Sequence, residues 1–137
     1  MDYEILDHTA DICVRVYGKS LDDLLRNAAR TMMQLITDIE KVNPSQEIEV
    51  KAKGETKEEL LVHWLDEILF FHQAKKMVFR DFEAHLVSET EIQGKAFGEN
   101  IDADRHEIGL DIKAVTYHNL KIESSDDKLK VEIVFDI

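Results

Sequence analysis

ICVRVYGKSLDDLLRNAARTMMQLIT, residues 12–37, carries two periods in succession. From Ile12 to Gly18, Ile12, Val14 and Val16 alternate with Cys13, Arg15 and Tyr17, the repeat of a strand with one buried face. Past Ser20, a good N-cap, the residues Leu21, Leu24, Leu25, Ala28, Met32, Leu35 and Ile36 recur at helical spacing to about Thr37. The helix is therefore expected to pack one face on a sheet.

Upstream, Tyr3 to Asp7 is a short strand candidate, joined to the next by the polar connection His8 to Asp11. Downstream, Asp38 to Ser45 holds the only proline, Pro44, and Ile48, Val50 and Ala52 then alternate as a further strand. Thr56 and Glu59 form a capping-box pattern that opens a second helix, with Leu60, Leu61, Trp64, Leu65, Ile68 and Phe71 on its apolar side and an end near Lys75 and Lys76. A long hairpin follows, Val78 to Val87 and Glu91 to Phe97, turning at Ser88 to Thr90, and then a polar stretch from Gly98 to Gly109. The last third reads as strands at Leu110 to Tyr117, Leu120 to Glu123 and Leu129 to Phe135, with a turn at Ser124 to Asp127. Two main helices and about eight short strands, with helices and hairpins segregated, indicate an α+β fold with mixed or antiparallel sheets. We expect one domain over 1–137: a core from about 1–41 and 110–137, interrupted by an inserted β-α-β-β module at about 42–109.

A chain of 137 residues has room for one real core. Seventeen Lys and Arg against 29 Asp and Glu leave a net charge of -12, which repels the phosphate backbone that supplies most nucleic-acid affinity. Direct nucleic-acid binding is not expected; docking on a basic protein surface is favoured by the same field. The one cysteine, Cys13, excludes an intrachain disulfide and a cysteine-based zinc site, and fits a reducing cytoplasm. The chain opens with no basic segment before an apolar run, and no window approaches the ~20 apolar residues of a membrane span. Neither export nor membrane insertion is expected.

Several chemistries lack their required motif. GxGxxG, GxxxxGK[ST], GxSxG and HExxH are all missing from the sequence. Asp102 to Glu107 begins with alternating oxygen ligands, but Glu107 stands where an EF-hand loop requires glycine. His63 and Glu67 share a helix face, as ligands could or as solvated residues do. Asp7, His8, Thr9, Ala10 and Asp11 crowd two carboxylates and an imidazole into a loop after a strand. Such a loop suits either a cation or a turn whose Asp and Thr side chains cap backbone amides. At the far end, Asp136 is followed by Ile137, an apolar last residue continuing a strand, which suggests an ordered C-terminus. Lys113 is read within the strand Leu110 to Val115, on the face opposite Ile112 and Ala114, and on pattern alone is a solvated lysine.

These residues fall into a recognisable set. The stretches YEILDHTAD (Tyr3 to Asp11), WLDEI (Trp64 to Ile68), Gly98 and Glu99 with Asp102, Arg105 and His106, IKAVTYH (Ile112 to His118), and the terminal Phe135, Asp136 and Ile137 resemble the archease family in order and spacing. The family consists of small accessory proteins of the RtcB-type tRNA-splicing RNA ligase. The resemblance implies that the chain is an activator and not itself an enzyme. It would promote guanylylation of the ligase's active-site histidine, allow multiple turnover, and broaden the nucleotide triphosphates accepted, with GTP acting through the ligase. It also implies a divalent-cation site, most simply Ca²⁺ with Mg²⁺ or Mn²⁺ as alternatives, formed by Asp11, Asp136 and the terminal carboxylate of Ile137, with Lys113 as the functional lysine. Asp7, His8, Glu99 and His106 fall in the surrounding functional surface. The competing readings are a metal-dependent phosphohydrolase using Asp11 and Asp136, and a general chaperone of nucleic-acid-processing proteins.

Overall fold

The computed structural model describes residues 2–6 and 11–137. In chain order its elements are β1 (Tyr3–Leu6), β2 (Ile12–Gly18), α1 (Leu21–Ile36), a 3-10 turn (Ile39–Lys41), β3 (Gln46–Lys53), α2 (Lys57–Lys75), β4 (Met77–Ser88), β5 (Glu91–Asn100), β6 (Ala114–Val115), β7 (Glu123–Ser125) and β8 (Lys128–Asp136). Two helices and two sheets make an α+β fold, and every strand pair among the described residues is antiparallel.

The first sheet runs β1-β2-β8-β6, with β7 beside the other half of β8, so strands from the two ends of the chain interleave. The second runs β3-β5-β4 and is drawn wholly from residues 46–100. Both helices start where the sequence places caps. The Asp23 N–H donates to the Ser20 hydroxyl at 3.2 Å and the Glu59 N–H to the Thr56 hydroxyl at 3.0 Å, each satisfying an orphan donor of a first turn. Between the sheets lies one cluster of buried apolar side chains, running from Val14, Val16, Ile133 and Phe135 through Leu24 and Met32 to Trp64, Ile68, Phe79 and Phe82.

Trp64 is fully buried and its indole N–H donates to the Leu25 carbonyl at 2.9 Å, so α2 is fastened to α1. Gly94 on β5 makes room for that ring: a Cβ there would stand 2.7 Å from the Trp64 ring and closer still to the Glu83 carbonyl oxygen. Arg26 ties α1 to β4, bridging both oxygens of Asp81 at 3.0 and 3.2 Å and donating to the Phe82 carbonyl at 3.1 Å. The attachment falls where β4 bulges between Phe79 and Asp81.

The long hairpin is longer than expected, since β5 continues to Asn100 through Gly98 and Glu99. Leu110 to Tyr117 is not a strand apart from Ala114 and Val115. The N–H groups of Gly109 and Leu110 donate to the Ile36 and Leu35 carbonyls at 2.6 and 3.1 Å, satisfying the open C-terminal end of α1 beside an isolated Thr37–Ile108 bridge. Ile112 is buried, which produced the strand-like alternation, and Lys113 lies ahead of β6 instead of within a strand. Leu120 to Ile122 fails likewise, because the Ile122 N–H is taken by the Glu58 carboxylate at 2.9 Å, and only Glu123 of that expected strand pairs, as the first residue of β7. The turn expected at Ser124 to Asp127 narrows to Asp126 and Asp127, whose φ values of 49° and 63° suit a tight two-residue hairpin, while Ser124 and Ser125 pair in β7.

Candidate functional site

The β2–β8 ladder determines what meets at one end of the first sheet. The ladder's end pair is Ile12 and Phe135, and Asp11 and Asp136 flank it, Asp11 just before β2 and Asp136 as the last residue of β8. Val14, Val16, Ile133 and Phe135 point to the core, and by strand alternation Asp11 and Asp136 belong to the other face. On the far side of β8, Ala114 pairs with Asp136, and the Lys113 N–H donates to the Asp136 carbonyl oxygen at 2.7 Å. Asp11, Lys113 and the adjacent Asp136 and Ile137, from three segments far apart in sequence, thus come to one end of the sheet, Asp11 beside the Ile12–Phe135 pair and Lys113 through its bond to Asp136. Asp11 is half-buried, Lys113 and Asp136 are exposed, and Ile137 is 39% exposed.

Like charges directly opposed across two strands destabilise the pair unless something positive lies between them. The same sheet face shows the paired alternative four residues along each strand. There Arg15 sits between Glu4 and Glu132, its guanidinium 3.3 Å from one carboxylate and 3.0 Å from the other. At the Asp11–Asp136 step the described residues supply no such ion pair. Their donor set is all oxygen, the chemistry that suits hard divalent cations. No three His, Cys, Asp or Glu side chains converge among the described residues. Asp7 and His8 lie outside the described residues.

Lys113 is held from its other side by α2. Gln73 Nε2 donates to the Ile112 carbonyl at 3.0 Å and lies 3.5 Å from that of Lys113. This contact was invisible in the sequence, where Gln73 is one polar residue among several near a helix end.

Glu99 and His106, expected on the functional surface, are instead 8% and 3% exposed and bonded to each other. The Glu99 carboxylate accepts from the Asn43 N–H at 2.7 Å, from both terminal nitrogens of Arg105, and from His106 Nε2 at 2.9 Å. On the other edge of the ring the Asp102 N–H donates to His106 Nδ1 at 2.9 Å, which places the ring hydrogen on Nε2. The Arg105 guanidinium, ahead of the Asn43 and His106 hydrogen bonds, holds the Glu99 carboxyl at about 2, well below its ordinary value, against the opposing effect of burial. The cluster pins the loop after β5 to the connection before β3. His63 has both ring nitrogens engaged, Nδ1 with the Lys53 carbonyl and Nε2 with the Tyr117 hydroxyl at 3.4 Å. Cys13 is buried, and burial pushes its thiol pKa up. No described helix is long and apolar enough to cross a membrane.

Comparison with known proteins places these features in a family. The model of the archease protein family (MTH1598/TM1083) matches residues 3–137. The chain is 42% identical over 140 residues to the archease of Methanopyrus kandleri, covering 100% of both. It is 38% identical over 140 residues to that of Pyrococcus abyssi, covering 98% of each. Among solved structures, it resembles the solution structure of Methanobacterium thermoautotrophicum protein 1598 with a TM-score of 0.83 and 31% identity over 99% of both chains. It also resembles the crystal structure of a Thermotoga maritima archease, described as a possible chaperone, with a TM-score of 0.69 and 27% identity over 96% of this chain and 94% of that one. Matched from its first strand to its last residue, with the same two-helix, two-sheet architecture, the chain belongs to the archease family.

Proposed function

We propose that the protein is a cytoplasmic activator of an RtcB-type RNA ligase, promoting guanylylation of the ligase and hence multiple turnover, with GTP acting through the ligase. The observation that supports this most is the gathering of Asp11, Lys113 and Asp136 at one sheet end in a chain of the archease family. Asp11, Asp136 and the Ile137 carboxylate would hold a divalent cation, with Ca²⁺ fitting an all-oxygen set and Mg²⁺ or Mn²⁺ as alternatives. When bound, the ion supplies positive charge for a phosphate or carboxylate presented by the ligase. Asp11 and Asp136 adjoin the ladder pair Ile12–Phe135, and strand alternation about the buried Val14, Ile133 and Phe135 supports the outer face for both carboxylates. Lys113 offers an exposed ammonium from a backbone fastened by Asp136 and Gln73, placed to stabilise charge on a phosphoryl group.

The test is guanylylation of the cognate ligase with GTP and Ca²⁺, with calcium affinity followed by calorimetry. The wild type is expected to drive repeated guanylylation. Asp11→Ala is expected to lose at least about tenfold in calcium affinity, more than a typical outer-shell partner costs, and to lose turnover with it. An Asp11→Ala protein that fails to bind the ion yet supports full turnover would remove the cation from the mechanism.

A broader reading draws on the Thermotoga maritima relative, described as a possible chaperone. A general chaperone engages many clients, whereas an activator engages one, so pull-down selectivity under matched salt separates the two.

A further inference from the structure

The outward face of α2 carries a row of residues that leads to Gln73, the side chain that fastens the Lys113 segment. Glu59, His63, Asp66, Phe70 and Gln73 follow at intervals of four, three, four and three residues. At about 100° per residue they form one stripe. Leu61, Trp64, Leu65 and Ile68 lie on the opposite side, in the core. Segment 112–122 crosses the helix in the reverse direction, fastened at Gln73 by Ile112, at His63 by Tyr117 and at Glu58 by Ile122. To reach His63, Tyr117 extends over the stripe beside Glu59 and Asp66. Burial first, and then those two carboxylates, push its hydroxyl pKa above the ordinary value.

One turn beyond Asp66 stands Phe70, 51% exposed and edge-on to Phe71 with centroids 5.9 Å apart, while Tyr117 is 54% exposed. The stripe ends at Gln73, which holds the segment leading into Lys113, so these aromatics run into the candidate site. Its charge is of one sign: between Lys57 and Lys75 the helix has no lysine or arginine, and Glu59, Asp66 and Glu67 stand on or beside the stripe. Exposed aromatic anchors within a charged rim are the make-up of a protein-binding surface, and the negative field selects a positive partner.

We propose that this stripe, with Tyr117, is the face by which the protein docks on the ligase of the preceding section. The matching surface is a protein patch on which lysines or arginines ring an apolar pocket that receives Phe70 and Tyr117. The proposal rests on the activator reading and adds the surface to it.

The test measures the affinity of the cognate ligase for the wild type, Phe70→Ala, Tyr117→Ala, Asp66→Lys and Val87→Ala. Val87 is a control, 58% exposed on the strand β4 of the second sheet. Each change is at an exposed side chain, and thermal melts verify that the variants fold. Phe70→Ala and Tyr117→Ala are each expected to weaken binding by at least about tenfold. Asp66→Lys should weaken it and flatten its salt dependence, and Val87→Ala should leave it unchanged. If the wild type binds and activates while all three stripe variants bind as tightly, the docking face is elsewhere and the activator reading survives. If the wild type neither binds nor activates, both fall. If Phe70→Ala instead dissolves a dimer of this protein and leaves ligase binding intact, the stripe belongs to a second copy and the proposal is overturned.

Discussion

Glu99 illustrates how much one carboxylate can hold in place. It collects hydrogen bonds from Asn43, Arg105 and His106, joining three parts of the chain. Its folded pKa of about 2 lies below the ordinary 4.5, so its contribution to stability is fully present above about pH 4.5 and is lost as the pH falls from there toward 2. Glu99→Gln should cost about 2 kcal/mol at neutral pH, the scale of hydrogen bonds to a charged group, and should flatten stability between pH 4.5 and 2. Urea unfolding across that range checks it, and an unchanged acid limb would show that the network is slack. Asp11 and Asp136, flanking the Ile12–Phe135 pair, make the contrary case. Without a cation, Asp136→Asn removes a like-charge repulsion and should raise stability by about 0.5 kcal/mol, while abolishing the rise in Tm that calcium gives the wild type. A wild-type Tm indifferent to calcium would count against the site. The nearness of Asp11 to Asp136 could not be read from the sequence, because it follows from the pairing of Ile12 with Phe135, in strands from distant parts of the chain. Lys113 was singled out by family resemblance alone, its own pattern being that of any solvated lysine.

At the level of elements, both helices and the long β4–β5 hairpin were legible because their periods are sustained and their caps are explicit: Ser20 and Thr56 each cap as their sequences announce. The 110–123 segment was misread because burial and strand pairing produce the same alternation. The Leu110 and Ile122 N–H groups go to the end of α1 and to Glu58, partners that no local pattern reveals, and only those around β6, at Lys113 and Thr116, reach β8. Gln73 holds the same segment from the side. Gln73→Leu should leave global stability within about 1 kcal/mol, the net worth of a typical hydrogen bond, yet speed hydrogen exchange at residues 113–117 and lower ligase activation. Activation unaffected by the change would mean that Lys113 needs no such support. Between α2 and the second sheet, Gly94→Ala forces a methyl into the Trp64 ring and the Glu83 carbonyl, so it should destabilise by about 1–3 kcal/mol as an overpacked core does.

On the scale of the whole molecule, a net charge of -12 sets the terms of encounter. Association with a basic partner should weaken as salt rises from 50 to 300 mM, mostly through a slower on-rate, and a salt-independent affinity would rule out electrostatic docking. The fold brings the two chain ends together in one sheet, places Lys113 against the last strand, and turns an acidic, aromatic helix face outward beside them. The central claim is that this arrangement serves another enzyme's turnover. The most direct test compares single-turnover and multiple-turnover RNA ligation by the cognate ligase, with GTP and divalent metal, in the presence of the wild type or of Lys113→Ala. The expected result is that the wild type restores multiple turnover and Lys113→Ala, folded and still bound, does not; equal turnover with the wild type, the variant and no added protein would contradict the account.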